Sequence, residues 1–221
     1  MTEHLEQGSW EWKQARLGKY TASNFCRLMT NGRGTGTVGA TCMTYMLDVM
    51  AERLTGRAQD EINGKALEWG HMNEPQARAM YCLIHGVRVQ QVGFCVHPDF
   101  PDVGASPDGL VEGDPIGPGG VEIKCPMNSR IHLGYLEANE LPKDYEWQVH
   151  GCMYVTGRKW WDFISFDPRM RDGLQLFTHR VLWDEEMMED LGDRLQRVRE
   201  QVEIRMAKVL TRVISDDGGS Q

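Results

Sequence analysis

The apolar residues change their period once along the chain, near Gly86, and that change limits the architectures open to it. Before Gly86 they recur at helical spacing. Met43, Met46, Leu47, Met50 and Leu54 lead to a candidate cap at Gly56, and a second helical run spans residues 65–86. Pro75 interrupts that run and predicts a kink, or a new helix starting at Glu74. After Gly86 the pattern turns to β-branched and aromatic alternation broken by Gly and Pro, in "VRVQQVGFCVH", "VGASPDGLVEG" and "GVEIKC". Helical spacing returns in "SRIHLGYLEAN" and "LPKDYEWQVHGCMYVTG", and two further strands are read in "KWWDFISFD" and "LQLFTHRVLW". A long last helix is expected from about Asp184, with Met188, Leu191, Leu195, Val198 and Val202 along one face. This order predicts a mixed α/β (α+β) chain with a central mixed β-sheet flanked by helices. No repeat or long linker divides it, so residues 1–221 are expected to form a single domain.

Toward the N-terminus, a short helix from Ser9 is expected to end at Gly18, followed by a turn that Thr21 or Ser23 caps into another helix. "NGRGTGTVGAT" carries no apolar pattern and is expected to be a mobile loop bearing Arg33. The sequence starts polar and acidic, and no stretch approaches the apolar length of a membrane span, which predicts a soluble, cytoplasmic protein with no membrane partner. Six cysteines stand without a single C-x-x-C pair, which argues against a zinc ribbon, a disulfide framework or an iron–sulfur cluster. The net charge of −8 is awkward for a nucleic-acid partner. Such a partner requires the basic residues to be gathered in one groove or channel.

Chemistry concentrates in "SPDGLVEGDPIGPGGVEIKCP", residues 106–126. Ser106-Pro107-Asp108-Gly109 by itself reads as an ordinary β-turn. Glu122 and Lys124, two apart on a strand, share one face, while Val121 and Ile123 take the other. A solvated edge strand explains that pair as well as a site does. A hairpin-like return after Asp108 would let all three side chains converge. Two carboxylates suit Mg²⁺, or Mn²⁺ in its place, and a lysine beside them suits phosphodiester cleavage.

Asp108 followed by Glu122-x-Lys124 resembles the PD-(D/E)xK pattern of restriction-endonuclease-like nucleases. Around it, "WKQARLGKYTASNF", "KALEWGHMNEPQAR", "GASPDGLV", "VEIKCP", "WQVHGCMYVTG" and "FDPRM" resemble, in order and spacing, the phage lambda exonuclease and YqaJ-type viral recombinase nucleases. The resemblance implies a Mg²⁺-dependent, two-metal, processive 5′→3′ exonuclease on linear double-stranded DNA. It also implies a homotrimeric ring and a single-strand DNA-annealing partner in recombination. On it, Asp108, Glu122 and the carbonyl of Ile123 would be metal ligands, Lys124 the catalytic lysine, and Glu74 and Gln148 further residues of the centre. Arg16, Ser23 and Ser106 would bind a 5′-phosphate. Each has a plainer reading: a solvated helix start for Glu74, a polar helix face for Gln148, and helix caps for Arg16 and Ser23. Arg33 would enter a groove of the duplex or be an ordinary loop residue, and Leu67 would be a strand-parting wedge or core. Tyr145 and Trp147 read as packing groups in preference to base-stacking ones. The rival functions are an endonuclease of the same fold and a non-catalytic recombination scaffold.

Overall fold

The computed structural model describes residues 5–34, 37–58 and 64–217, with side chains up to residue 212. Helix α1 (Trp10–Arg16) starts on Ser9, whose hydroxyl accepts from the Trp12 amide, and leads to the two-residue strand β1 (Tyr20–Thr21). A 3₁₀ turn (Ala22–Asn24) runs into the short helix α2 (Phe25–Leu28); neither Thr21 nor a neighbour supplies a side-chain cap there. Ser23 lies inside the turn, so its hydroxyl is left for a tertiary partner. The glycine-rich segment is partly ordered: Asn31 bridges Val38, and the Gly32 amide donates to the Thr37 carbonyl. Residues 35 and 36 of that segment lie outside the described residues.

Helices α3 (Ala40–Thr55) and α4 (Lys65–His85) end on Gly56 and Gly86 in the left-handed conformation, as the sequence pattern predicts. Helix α4 runs through Pro75 as one element instead of restarting at Glu74. Proline removes one backbone donor, and a helix packed on a sheet along its length can sustain that loss.

The run read as one strand at residues 87–97 divides into β2 (Arg88–Gln90) and β3 (Cys95–Val96), which join different sheets. Strand β4 (Val103–Ala105) lies between β1 and β3 in a three-stranded sheet. Strands β5 (Gly109–Glu112), β6 (Gly119–Lys124), β7 (Trp160–Phe166) and β8 (Leu176–Leu182) complete a five-stranded sheet in the order β2-β5-β6-β7-β8. Among the described strands of this sheet β6 and β7 pair in parallel and the other neighbours are antiparallel. The predicted mixed sheet is therefore present. Helices α5 (Ser129–Ala138) and α6 (Lys143–Thr156) carry the chain from β6 to β7, and α7 (Glu185–Asp217) closes it.

Each face of the large sheet has its own apolar layer. On one, Ala77 and Tyr81 of α4 meet Val121, Ile123, Ile164 and Phe166. On the other, Val149, Cys152 and Met153 of α6 and the predicted stripe of α7 pack with Leu110 and Trp161. Strand β6 is therefore central, covered on both faces, and the edge-strand explanation of Glu122 and Lys124 fails. No described helix is long and apolar enough to cross a membrane.

Candidate active site

Ser106-Pro107-Asp108 is a link between the two sheets, running from the end of β4 to the start of β5, and not a hairpin turn. Asp108 leads into β5, which turns back as β6, and the Asp108 carboxylate accepts from the Ile123 amide at 2.6 Å. Gly109, next in the chain, lets β2 pack closely beside β5: a Cβ there would stand 2.1 Å from Cγ1 of Val89. Glu122 is only 1% exposed. Its Oε1 takes the Lys124 ammonium at 2.6 Å and the Gln148 side-chain amide at 2.6 Å, the latter from the first half of α6. Glu122 Oε2 is buried with no hydrogen-bond partner. Glu74, from the middle of α4, pairs with Arg78 one turn on and is close enough to Asp108 and Lys124 to feel both charges.

The electrostatics are those of a pocket with surplus negative charge. Burial, then the nearby Asp108 carboxylate, pushes Glu74 up to about 7. Glu122 is likewise pushed up to about 7, by burial first and by Asp108 and Glu74 after it, against the pull of Lys124. Asp108 is raised by burial. Burial opposes the charge on Lys124, yet Glu122 and Asp108 hold its ammonium above its ordinary range. Like carboxylates crowded in a low-dielectric site behave this way, and a cation among them relieves the cost.

No three His, Cys, Asp or Glu side chains gather as a ready ligand set among the described residues. The set expected from the sequence contains only two carboxylates, Asp108 and Glu122, with the Ile123 carbonyl as third ligand. The orphaned Glu122 Oε2 and the all-oxygen donor chemistry fit a hard divalent cation.

A second group of expected residues also comes together. Arg16, the last residue of α1, donates from Nη1 to Ser106 Oγ at 2.7 Å and from Nη2 to Ser23 Oγ at 3.2 Å. Among the described residues its side chain neither caps a helix nor forms an ion pair with a carboxylate. Trp12 Nε1 also donates to Ser106 Oγ, at 3.0 Å, and the Trp12 ring lies 4.3 Å under the guanidinium. Two donors occupy the lone pairs of Ser106, which leaves its own proton free to donate to a ligand. Burial pulls the Arg16 pKa below its usual value.

Trp12, Arg16 and Ser23 line a cavity of about 760 Å³. A second cavity, of about 500 Å³, lies against Glu74 and Arg78, and Gln7 and His71 line both. Leu67 is 40% exposed on the wall of the larger cavity, not in the core. Arg33 is exposed and apart from both cavities. Basic residues gather in the larger cavity as Lys13, Arg16, Lys19 and Arg27, but acids share it. Two of those acids are already engaged: Asp48 with Arg27 at 2.5 Å and Glu52 with the Gly18 amide at 2.8 Å.

Sequence reasoning missed Trp12 and Arg78. Trp12 stands four residues before Arg16 and Arg78 four after Glu74, so helical spacing from the chosen residues was the signal that pointed to both.

Residues 11–159 match the YqaJ-like viral recombinase domain. Among solved structures, the alkaline exonuclease LHK-Exo from Laribacter hongkongensis is 35% identical, with 94% of this chain and 99% of that chain covered and a TM-score of 0.83. LHK-Exo in complex with dAMP matches at 34% identity, with the same coverage and TM-score. A phage related exonuclease from Haemophilus somnus 129PT is 14% identical over 86% of this chain and 96% of that chain, with a TM-score of 0.66, a likeness of fold alone. No curated protein matches significantly. With its fold shared along nearly the whole length of these structures and the domain match spanning well over half of its residues, the chain belongs to the YqaJ-like viral recombinase family.

Proposed function

We propose that this chain is a Mg²⁺-dependent exonuclease that degrades one strand of linear duplex DNA from a 5′-phosphorylated end and leaves 3′ single-stranded tails for strand annealing. The observation that carries the reading is the meeting of Asp108, Glu122, Lys124 and Gln148 around a buried carboxylate oxygen that has no partner. The name exonuclease on the solved relatives supports the same class of activity. Asp108, Glu122 and the Ile123 carbonyl would hold the ions, which when bound acidify water and neutralise charge on the phosphodiester.

The chain's own residues do the rest. Gln148 holds Glu122 Oε1, which leaves Oε2 without a protein partner and available to an ion. Lys124 Nζ offers its protons to the oxygens on which charge develops during cleavage. Glu74 adds a third carboxylate from α4, oriented by Arg78. At the other cavity, the Arg16 guanidinium with the Ser23 and Ser106 hydroxyls would grip a terminal phosphate by charge-assisted hydrogen bonds. Leu67 on the cavity wall would part the first base step. Arg33, exposed on its turn, would follow the uncut duplex. A cytoplasmic ring of three copies, with the lysines and arginines of the large cavity facing the DNA, would reconcile an acidic chain with an acidic substrate.

The test uses linear duplex with 5′-phosphate or 5′-hydroxyl ends, with and without Mg²⁺, beside a covalently closed plasmid. Expected are Mg²⁺-dependent release of nucleotides from the phosphorylated end, survival of the complementary strand and an intact plasmid. Nicking of the plasmid would make the protein an endonuclease. No release from any substrate would leave the scaffold reading.

A further inference from the structure

We infer that Tyr145 is a positioning residue for Lys124: the face of its ring holds the lysine ammonium in place beside Glu122. The inference deepens the proposed function and rests on it for the kinetic part of its test.

Tyr145 sits in the first turn of α6, three residues before Gln148, so both side chains leave the same face of the helix. Gln148 takes hold of Glu122, and the Tyr145 ring centroid lies 5.0 Å from Lys124 Nζ. One helix face thus addresses both members of the Glu122–Lys124 pair. A cation at that distance over an aromatic face is attracted by the ring's quadrupole, more so where water is scarce. The ring itself is steadied from behind. It stacks on Phe163 at 5.1 Å with 28° between the planes, and Phe163 is fully buried and registers with Glu122 across the β6–β7 ladder. Tyr135 closes the same aromatic group, edge-on to Phe163 at 5.6 Å.

A reason for this second hold follows from the first. Glu122 Oε1 is shared between Lys124 and Gln148, so a ligand that draws on the Glu122 carboxylate weakens the ion pair. Lysine is a flexible four-carbon stem ending in a point charge, and with one partner weakened it has many rotamers open to it. An aromatic face keeps attracting the ammonium whichever way the carboxylate turns. Packing alone would need the ring's bulk but not its electrostatics.

The experiment compares Tyr145→Phe, which keeps the face, with Tyr145→Leu, which keeps apolar bulk without it. Thermal melts check that each folds. On phosphorylated linear duplex, Tyr145→Leu is expected to lower kcat by on the order of 10²-fold with KM little changed, since misplacing a reacting group costs turnover more than binding. Tyr145→Phe should recover most of that loss. A wild-type kcat in Tyr145→Leu, an equal loss in both variants, or a loss confined to KM overturns the inference.

A second readout needs no activity and no added ion. In protein with ¹³C-labelled lysine, the Lys124 ε-methylene protons should be displaced upfield by the ring current, and should return toward the ordinary lysine position in Tyr145→Leu. An ordinary position in the wild type overturns the inference even if Tyr145→Leu does not fold. An inactive wild type with the displaced resonance would overturn the nuclease reading and leave the contact standing.

Discussion

Two groups of polar side chains, joined by the three residues Ser106-Pro107-Asp108, differ in charge and in burial. Around Asp108, three carboxylates face Lys124 and Arg78, the latter paired with Glu74, and Glu122 keeps a buried oxygen without a hydrogen-bond partner. Around Arg16, a half-buried guanidinium meets the Ser23 and Ser106 hydroxyls and the Trp12 ring, with Glu52 the nearby acid. One region has surplus carboxylate, and the other presents a guanidinium bonded to hydroxyls. A folded chain tolerates such imbalance where a ligand corrects it, and a nucleic-acid end carrying phosphate beside a divalent cation corrects both.

The largest effect should come from the acidic side. Glu122→Gln keeps size and hydrogen bonding but removes the charge, and is expected to cut nucleotide release by on the order of 10³-fold or more. Its melting temperature should not fall below that of the wild type, because a buried, half-satisfied carboxylate is a cost to folding. A variant both inactive and much less stable would mean that Glu122 is a structural group.

Next, Arg16→Ala should remove the preference for phosphorylated over hydroxyl ends, with a loss of about 10²-fold on the phosphorylated end, the worth of a charge-assisted pair. Binding of Mg²⁺ should be unchanged by titration calorimetry. An equal loss on both ends would make Arg16 a structural strut between α1 and Ser106.

Asp167 supplies the balanced case. Burial would raise its carboxyl, but hydrogen bonds from Arg169 and Ser129 more than reverse this and hold it at about 2. The pair is two-pronged, 2.7 and 2.8 Å, and Arg169 also lies 4.5 Å from the Trp69 ring centroid. A carboxyl held below its unfolded value of about 4 contributes stability that is complete above that pH and is lost as pH falls toward 2. Since Arg169 is 43% exposed, screening reduces the contribution to about 1 kcal/mol. Asp167→Asn should therefore unfold about 1 kcal/mol more easily in urea at pH 7, with the gap to wild type narrowing between about pH 4 and pH 2.

The smallest effect on stability belongs to Leu67→Ala. As an exposed wall residue it should alter stability by less than about 0.5 kcal/mol, while digestion of blunt duplex slows several-fold. A large loss of stability would return Leu67 to the core.

The helices were legible in the sequence because their apolar stripes and terminal glycines act locally: α3 and α4 end where Gly56 and Gly86 require, and the α7 stripe from Met188 to Val202 is buried as read. The strands were legible as segments but not as partners. Residues 88–96 look continuous, yet β2 and β3 belong to different sheets, because pairing is decided by distant residues that no local pattern reveals. For the same reason Ser106-Pro107-Asp108 read as a turn. The convergence of Asp108, Glu122 and Lys124 could be expected from alternation and a short return. Tyr145 could not, since its contact with Lys124 depends on how α6 settles on β6.

The short link between β4 and β5 has a consequence of its own. Its middle residue is a proline, with φ locked near about −65°, and the Gln7 side chain clasps its carbonyl at 2.8 Å. On the proposed reading, the grip on a strand terminus and the place of cutting are separated by a stiff strut of fixed length. Such a strut acts as a gauge: the size of each fragment removed is set by the backbone between two anchors, and the identity of the base has no part in it.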